Sequence, residues 1–137
     1  MALQVDIDRL GTDVALPERE GDALPKTTSG DLALVSGREN VRRAQIRRVT
    51  VPAGCTLWWP EYGAGVEEFV ERPNTPANQS LLAARCRRQM LRDPRLKDAR
   101  ARARAGTVDD AGADLVVTLS YQLRDDTQEE LTVPLSE

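Results

Sequence analysis

The apolar residues of this chain recur with two different periods, and the longer one marks a helix. Between residues 76 and 92 they return about every four positions, at Leu82, Cys86 and Met90, with Leu81, Ala83 and Leu91 beside them. This spacing predicts one helix from about Pro76 to Arg92. Thr75 is a suitable N-cap, and Pro76 fits the first helical position, where a missing amide proton costs nothing. Pro94 stops the helix.

An earlier helix is predicted from about Gly37 to Val49. Ser36 and Glu39 have the spacing of a capping box, in which the hydroxyl and the carboxylate each satisfy an unpaired amide. Its inward side combines apolar and longer polar residues: Val41, Ala44, Gln45, Ile46, Arg48 and Val49. Pro52 and Gly54 end it, and "AGVEEFVE" predicts a further short helix with Val66, Phe69 and Val70 inward.

After residue 96 the period shortens to two, which predicts strands. "DARARARAG" alternates alanine with Arg100, Arg102 and Arg104, although alanine propensity leaves a helix open as an alternative. "ADLVVTLSYQL" puts its leucines and Tyr121 on one side, and "EELTVPL" returns after the turn "RDDTQ". Because Pro134 cannot donate to a ladder, the last strand is predicted to lie at an edge.

These elements define an α+β fold class with two to three helices and a C-terminal antiparallel three-stranded meander. Residues 1–27 are predicted to form an extended arm with little regular structure, ordered only if something holds it. Residues 28–137 are predicted to form the domain itself.

The aromatic residues are concentrated at one bend. Four of the five aromatics in the chain are Trp58, Trp59, Tyr62 and Phe69. Pro60 and Gly63 predict a turn there, and large side chains are scarce elsewhere. We therefore expect at least one tryptophan in the core, with the other free to face a partner because neighbours in an extended segment point opposite ways. Glu61 is expected to be a structural acceptor.

The formal net charge of -3 conceals a strong segregation. Residues 1–37 carry three basic and seven acidic side chains, residues 38–104 fifteen and seven, and residues 105–137 one and eight. Faces with such asymmetry are expected to meet oppositely charged neighbours, either other chains or the protein's own termini.

Composition excludes several kinds of chemistry. Cys55 and Cys86 are the only cysteines and there is no histidine, which rules out zinc sites of the usual Cys/His kinds and any Ser–His or Cys–His pair. Reduced, structural cysteines are expected, with no metal and no cofactor. No apolar run approaches the roughly 18 residues of a membrane span, and the first residues lack signal-peptide features, so no membrane partner is expected.

Two groups of charged residues are candidate sites. A pair of carboxylates can hydrolyse a glycosidic bond, but Glu67, Glu68 and Glu71 share one short helix with Glu61 nearby, an arrangement typical of a solvated face. The arginines from Arg85 to Arg104 could follow a phosphate backbone, but the aromatics or glycines of a nucleic-acid reader are missing. Contacts with acidic protein surfaces fit them better, and a solvated face is the alternative.

Taken in order, several motifs resemble those of one family. They are "GDLALVSGRENVRRAQIRRV", "PAG", "PEYGAGVEEFV", "RDPRL" and "LTVPL", covering about residues 28–137. Together they resemble the baseplate wedge, or sheath-initiator, family of contractile phage tails and related injection machines. Its members are often labelled lysozyme-like, although no hydrolase activity follows from the fold.

The resemblance implies a structural protein rather than an enzyme. It implies six copies arranged by a baseplate, monomeric when alone, with baseplate wedge proteins, the sheath protein and the tail tube as partners and no nucleic acid. The location it implies is a virion tail baseplate or equivalent particle assembled in the bacterial cytoplasm. A peptidoglycan hydrolase is the alternative, and a nucleic-acid-binding domain a further one.

The resemblance also singles out residues. The family's bend corresponds to Pro60, Glu61, Tyr62 and Gly63, and its acidic-Pro-Arg motif to Asp93, Pro94 and Arg95. The family commonly has glutamate at the first position of that motif, so the shorter Asp93 could alter a contact made there. Arg95 is expected to bind a carboxylate in a bidentate manner, in this chain or on a wedge partner, with a solvated arginine as the alternative.

The last strand is the second expected contact. Leu131, Thr132 and Val133 are expected to accept a strand of the sheath protein at the open edge. The alternative is that this strand only closes the protein's own sheet.

Overall fold

The computed structural model describes residues 9–17 and 21–136, in two compact units, residues 1–44 and 45–137. In the first unit, strand β1 (Thr12–Val14) pairs antiparallel with β2 (Leu34–Ser36). Asn40 Nδ2 donates to the carbonyl of Leu10 at 3.2 Å. The part of the predicted arm that the structure describes therefore contains one short strand, which agrees with the little regular structure expected there. Residues 1–8 and 18–20 of that arm lie outside the described residues, and the predicted domain boundary at residue 28 stays a prediction.

Helix α1 (Gly37–Thr50) begins where the sequence predicts and runs one residue further than expected. Glu39 accepts hydrogen bonds from Arg42 and Arg43, at 3.3 and 3.0 Å. Val41, Gln45 and Val49 are fully buried, which confirms the inward side at these three positions.

Helix α2 (Pro76–Met90) is also confirmed, with the predicted cap. Thr75 Oγ1 accepts a hydrogen bond from the N–H of Asn78. Leu82, Cys86 and Met90 are completely buried, whereas Leu81 and Leu91 remain exposed. The short helix is a 3₁₀ turn, Val66–Phe69, with Val66 and Phe69 buried. No helix in the described ranges is long and apolar enough to cross a bilayer.

The C-terminal sheet is the predicted antiparallel meander in the order β3–β4–β5. Its strands are β3 (Leu96–Ala105), β4 (Leu115–Leu123) and β5 (Gln128–Leu135). The alanine–arginine segment is therefore strand and not helix. Every odd-numbered residue of β4 is buried, and α2 packs along β3, which places the core of the second unit between helix and sheet. The α+β fold class is confirmed.

Candidate partner-binding surfaces

Asp93 and Arg95 form a bidentate ion pair at the corner after α2. Arg95 Nε donates to Asp93 Oδ1 at 2.9 Å and Arg95 Nη2 donates to Oδ2 at 2.6 Å. The N–H of Arg95 adds a third bond at 3.0 Å, and Gln45 Nε2 a fourth at 2.8 Å. The predicted bidentate contact thus exists and lies within the chain.

The Asp93 side chain is 1% exposed, whereas that of Arg95 is 25% exposed. Burial raises the pKa of Asp93, but the hydrogen bonds and charge of Arg95, with the Gln45 bond, outweigh burial and hold that pKa below its usual value. Asp93 is therefore an internal acceptor that orients Arg95. Of the motif, the exposed Pro94 and the partly exposed Arg95 can reach another molecule, and a partner contact there stays a prediction.

The aromatic bend is held by its backbone and by Gln89. Gln89 Oε1 accepts from the N–H of Gly63 at 3.1 Å, and Gln89 Nε2 donates to the carbonyl of Glu61 at 2.8 Å. Gly63 has a φ of +103°, and its backbone lies against the carbonyl of Val51. One amide side chain therefore fixes both sides of the turn.

The tryptophans do not anchor this bend. Trp58 is 84% exposed and Trp59 is 70% exposed, so the expectation that one of them lies in the core is wrong. Tyr62 is the inward ring, half-buried, with the guanidinium of Arg48 at 5.1 Å from its centroid. The interior is filled mainly by aliphatic side chains, with Phe69 and Tyr121 as its buried aromatics, so it needs neither indole.

Glu61 lies at the surface, in an ion pair. Its carboxylate accepts from Arg92 Nη1 at 3.1 Å, and its side chain is 78% exposed. Glu67 and Glu68 are also exposed. A general acid for glycoside hydrolysis needs a raised pKa in a shielded place opposite a second carboxylate, and these three positions do not provide that shielding.

The edge strand β5 turns the backbone groups of its even-numbered residues outward. The N–H of Leu123 donates to the carbonyl of Thr127, continuing the register in which Gln122 pairs with Gln128. Because bonded and non-bonded pairs alternate in an antiparallel ladder, the odd-numbered residues of β5 bond to β4. The backbone groups of the even-numbered residues therefore point away from β4. These residues are Gln128, Glu130, Thr132 and Pro134, so Pro134 removes no ladder bond.

The two edges of the sheet differ. Along β3 the carbonyl of Ala99 accepts from Arg87 Nε of α2 at 2.9 Å. On β5, no hydrogen bond made within residues 9–17 and 21–136 reaches the outward backbone groups. Thr132 is exposed while Leu131 is buried and Val133 half-buried. Of the predicted contact residues, Thr132 therefore presents its backbone groups outward, whereas Leu131 and Val133 bond to β4 and turn apolar side chains inward.

The two cysteines differ in environment, which corrects the expectation that both are structural. Cys55 is exposed and Cys86 is buried, and both are free. Burial raises the pKa of Cys86 to about 12, so its reactive thiolate is scarce at neutral pH.

We predict that dithiobisnitrobenzoate at pH 8 modifies one thiol of the folded chain quickly and the second only in denaturant. Cys55→Ser should abolish the fast phase, and rapid reaction of two thiols would contradict the buried position of Cys86.

Comparison with known proteins gives similarity of fold. No family model matches the sequence, and no curated protein matches it either. A crystal structure from Geobacter sulfurreducens, provisionally described as a tail lysozyme, is 16% identical over 84% of this chain and 98% of that one, with a TM-score of 0.55. A chain of the six-fold symmetrised anti-feeding prophage (AFP) baseplate is 17% identical over 97% of this chain and 92% of that one, with a TM-score of 0.63. The fold implied by the sequence motifs is thereby confirmed.

Proposed function

We propose that this protein is a structural component of the baseplate of a contractile tail or injection machine. In this role six copies join the wedge proteins to the tail tube, within a particle assembled in the bacterial cytoplasm. The fold shared with an AFP baseplate chain supports the proposal, as does the order of the sequence motifs. The protein then acts by contacts alone and needs neither a cofactor nor a metal.

The finer step we propose is that β5 starts sheath assembly by accepting a strand of the sheath protein. The open edge of β5 is the observation that carries this step. The outward N–H groups of Gln128, Glu130 and Thr132, with the carbonyls beside them, offer a ladder to an added strand. Pro134 interrupts the edge on the same side, so it limits indiscriminate pairing without harming the protein's own sheet.

Thr132→Pro tests this step because it removes one outward donor. The ladder with β4 uses the odd-numbered residues, so the isolated chain should fold with a wild-type circular dichroism spectrum. When it is produced with the sheath, tube and wedge proteins of its own particle, we expect baseplates that lack sheath. Electron microscopy of negatively stained particles measures the sheathed fraction and the sheath length.

Thr132→Val is the matched control, since it changes the side chain and keeps the backbone donor. We expect normal sheaths from it. If Thr132→Pro folds, joins the baseplate and gives sheaths of normal length, strand addition through this edge is wrong, while the baseplate role is judged separately by whether the chain is present in the particles.

A peptidoglycan hydrolase is the second candidate, favoured by the description of the Geobacter structure as a tail lysozyme. Because Glu61 is exposed and paired with Arg92, we expect no cleared band when the purified chain is run in a peptidoglycan zymogram. Hen egg-white lysozyme serves as the positive control. A cleared band that disappears in Glu61→Gln would sink the purely structural role.

A further inference from the structure

The second unit has a run of three exposed large apolar residues, Leu57, Trp58 and Trp59, here called the indole surface. Their exposed fractions are 82%, 84% and 70%. Contiguous exposed apolar residues of this size mark interaction sites in soluble proteins, and tryptophan is among the residues most often dominant in interfaces.

The backbone presents this surface in a fixed geometry. The N–H of Trp59 donates to the carbonyl of Thr56 at 3.2 Å, and the N–H of Tyr62 donates to the carbonyl of Trp59 at 3.0 Å. The turn that follows is held by Gln89 at Glu61 and Gly63. A partner therefore loses little affinity to ordering of the loop.

A cavity of about 390 Å³ opens beside Trp59, and its charges are unbalanced. The ionic groups lining it are Arg48, Glu61 and Arg92, of which Glu61 and Arg92 already form an ion pair. Arg48 lines the cavity with its guanidinium 5.1 Å from the centroid of the Tyr62 ring, and it has no ion pair in the described part of the chain. A carboxylate entering the cavity would form charge-assisted hydrogen bonds with this guanidinium.

We propose that this surface docks a segment of a partner protein that places an aspartate or glutamate in the cavity, against Arg48, and an aliphatic side chain on the indole surface. The net positive cavity selects the carboxylate, and the tryptophans supply the apolar contact. This site is separate from the edge of β5, and its test uses the isolated chain, so it stands or falls independently of sheath initiation.

A single-stranded nucleic acid is the competing occupant, because indoles stack on bases and arginines bind phosphate. Leu57 beside the indoles disfavours a phosphate backbone, whereas it suits an aliphatic side chain. The test therefore includes an oligonucleotide as an arm that can overturn the proposal.

The probes are the blocked tripeptide Leu-Glu-Leu and its counterpart Leu-Gln-Leu. Trp58 and Trp59 are the only tryptophans in the chain, so their fluorescence reports this surface alone. We expect the glutamate peptide to bind at least about ten-fold more tightly than the glutamine peptide, because only the carboxylate adds a negative charge and a second acceptor oxygen for the guanidinium.

Arg48→Gln should reduce that preference to about one-fold, whereas Arg100→Gln, the same charge change on the sheet, should preserve it. If Arg48→Gln does not fold by circular dichroism, Trp59→Ser provides the second variant, and it should weaken both peptides. The proposal is overturned if neither peptide binds, or if the two peptides bind the wild-type chain with equal affinity. It is also overturned if Arg100→Gln loses the preference for the glutamate peptide as Arg48→Gln does, or if oligo(dT) binds more tightly than the peptides. A concentration-dependent dimer in sedimentation velocity, with indoles buried according to their fluorescence, would also overturn it.

Discussion

Replacing Asp93 by asparagine is expected to lower the free energy of unfolding by about 3 kcal/mol. The aspartate accepts four hydrogen bonds, three from Arg95 and one from Gln45. In asparagine an NH₂ group replaces one carboxylate oxygen, so it faces N–H groups of Arg95 or Gln45 that need an acceptor. The substitution also removes the negative charge that pairs with Arg95. Urea denaturation followed by circular dichroism measures the loss, since both tryptophans are already exposed and report unfolding poorly.

Asp126→Asn is the matched control for this substitution. Asp126 also forms an ion pair, with Lys97 at 2.7 Å, but the two side chains are more than half exposed. Exposed pairs contribute about 0–1 kcal/mol, so we expect little change. Equal losses in Asp93→Asn and Asp126→Asn would show that burial of the Asp93 pair does not stabilise the fold.

Arg95→Lys separates the shape of the cation from its charge. Lysine keeps the positive charge but cannot bind both carboxylate oxygens in a fork. A particle defect in this variant indicates a lost wedge contact only if the purified chain keeps its stability. Because Arg95 also bonds to Asp93 within the chain, particle assembly and the stability of the purified chain have to be measured together.

The same ion pair makes stability depend on pH in acid. The pKa of Asp93 is lower in the folded chain than the value of about 3.9 expected when unfolded. The contribution of its ionised form is therefore complete above that value and declines as pH falls through it toward the folded pKa. The difference between wild type and Asp93→Asn should shrink below about pH 4.

The helices and strands were predictable because burial imposes the period of each element on the sequence. Leu82, Cys86 and Met90 mark one side of α2, and the alternation in β4 survives in the structure as alternating burial. Pro134 indicated the edge because a proline cannot donate in a ladder. These are local signals, and they needed no knowledge of distant contacts.

The bend and the corner depend on contacts between residues far apart in sequence, and there the predictions were less complete. Gln45 reaches Asp93, and Gln89 reaches Glu61 and Gly63. A glutamine at a buried helical position was the available signal, but the sequence does not indicate which acceptor it meets. The prediction for the tryptophans is wrong because large size alone does not require burial, and the helix–sheet interior is already filled by aliphatic residues, Phe69 and Tyr121.

Replacing Gly63 by alanine is expected to destabilise the chain by about 3–5 kcal/mol. Its φ of +103° is one that residues with a Cβ rarely adopt, and an added methyl group would collide with the carbonyl of Val51. That carbonyl also accepts the N–H of Gly65 at 3.0 Å, so moving it would break a bond that holds the bend. Urea denaturation measures the change in the free energy of unfolding.

Gly54→Ala separates backbone strain from the collision. Gly54 has a similar φ of +83°, but a Cβ added there would lie 4.0 Å from the nearest atom, the carbonyl oxygen of Pro60. Backbone strain alone should cost about 1–2 kcal/mol there. The excess in Gly63→Ala then measures the collision, and the variant should also disturb the indole fluorescence because Trp59 precedes the same turn. If Gly63→Ala costs no more than Gly54→Ala, the close approach of Val51 does not constrain the bend, and the fixed presentation of the tryptophans loses its physical basis.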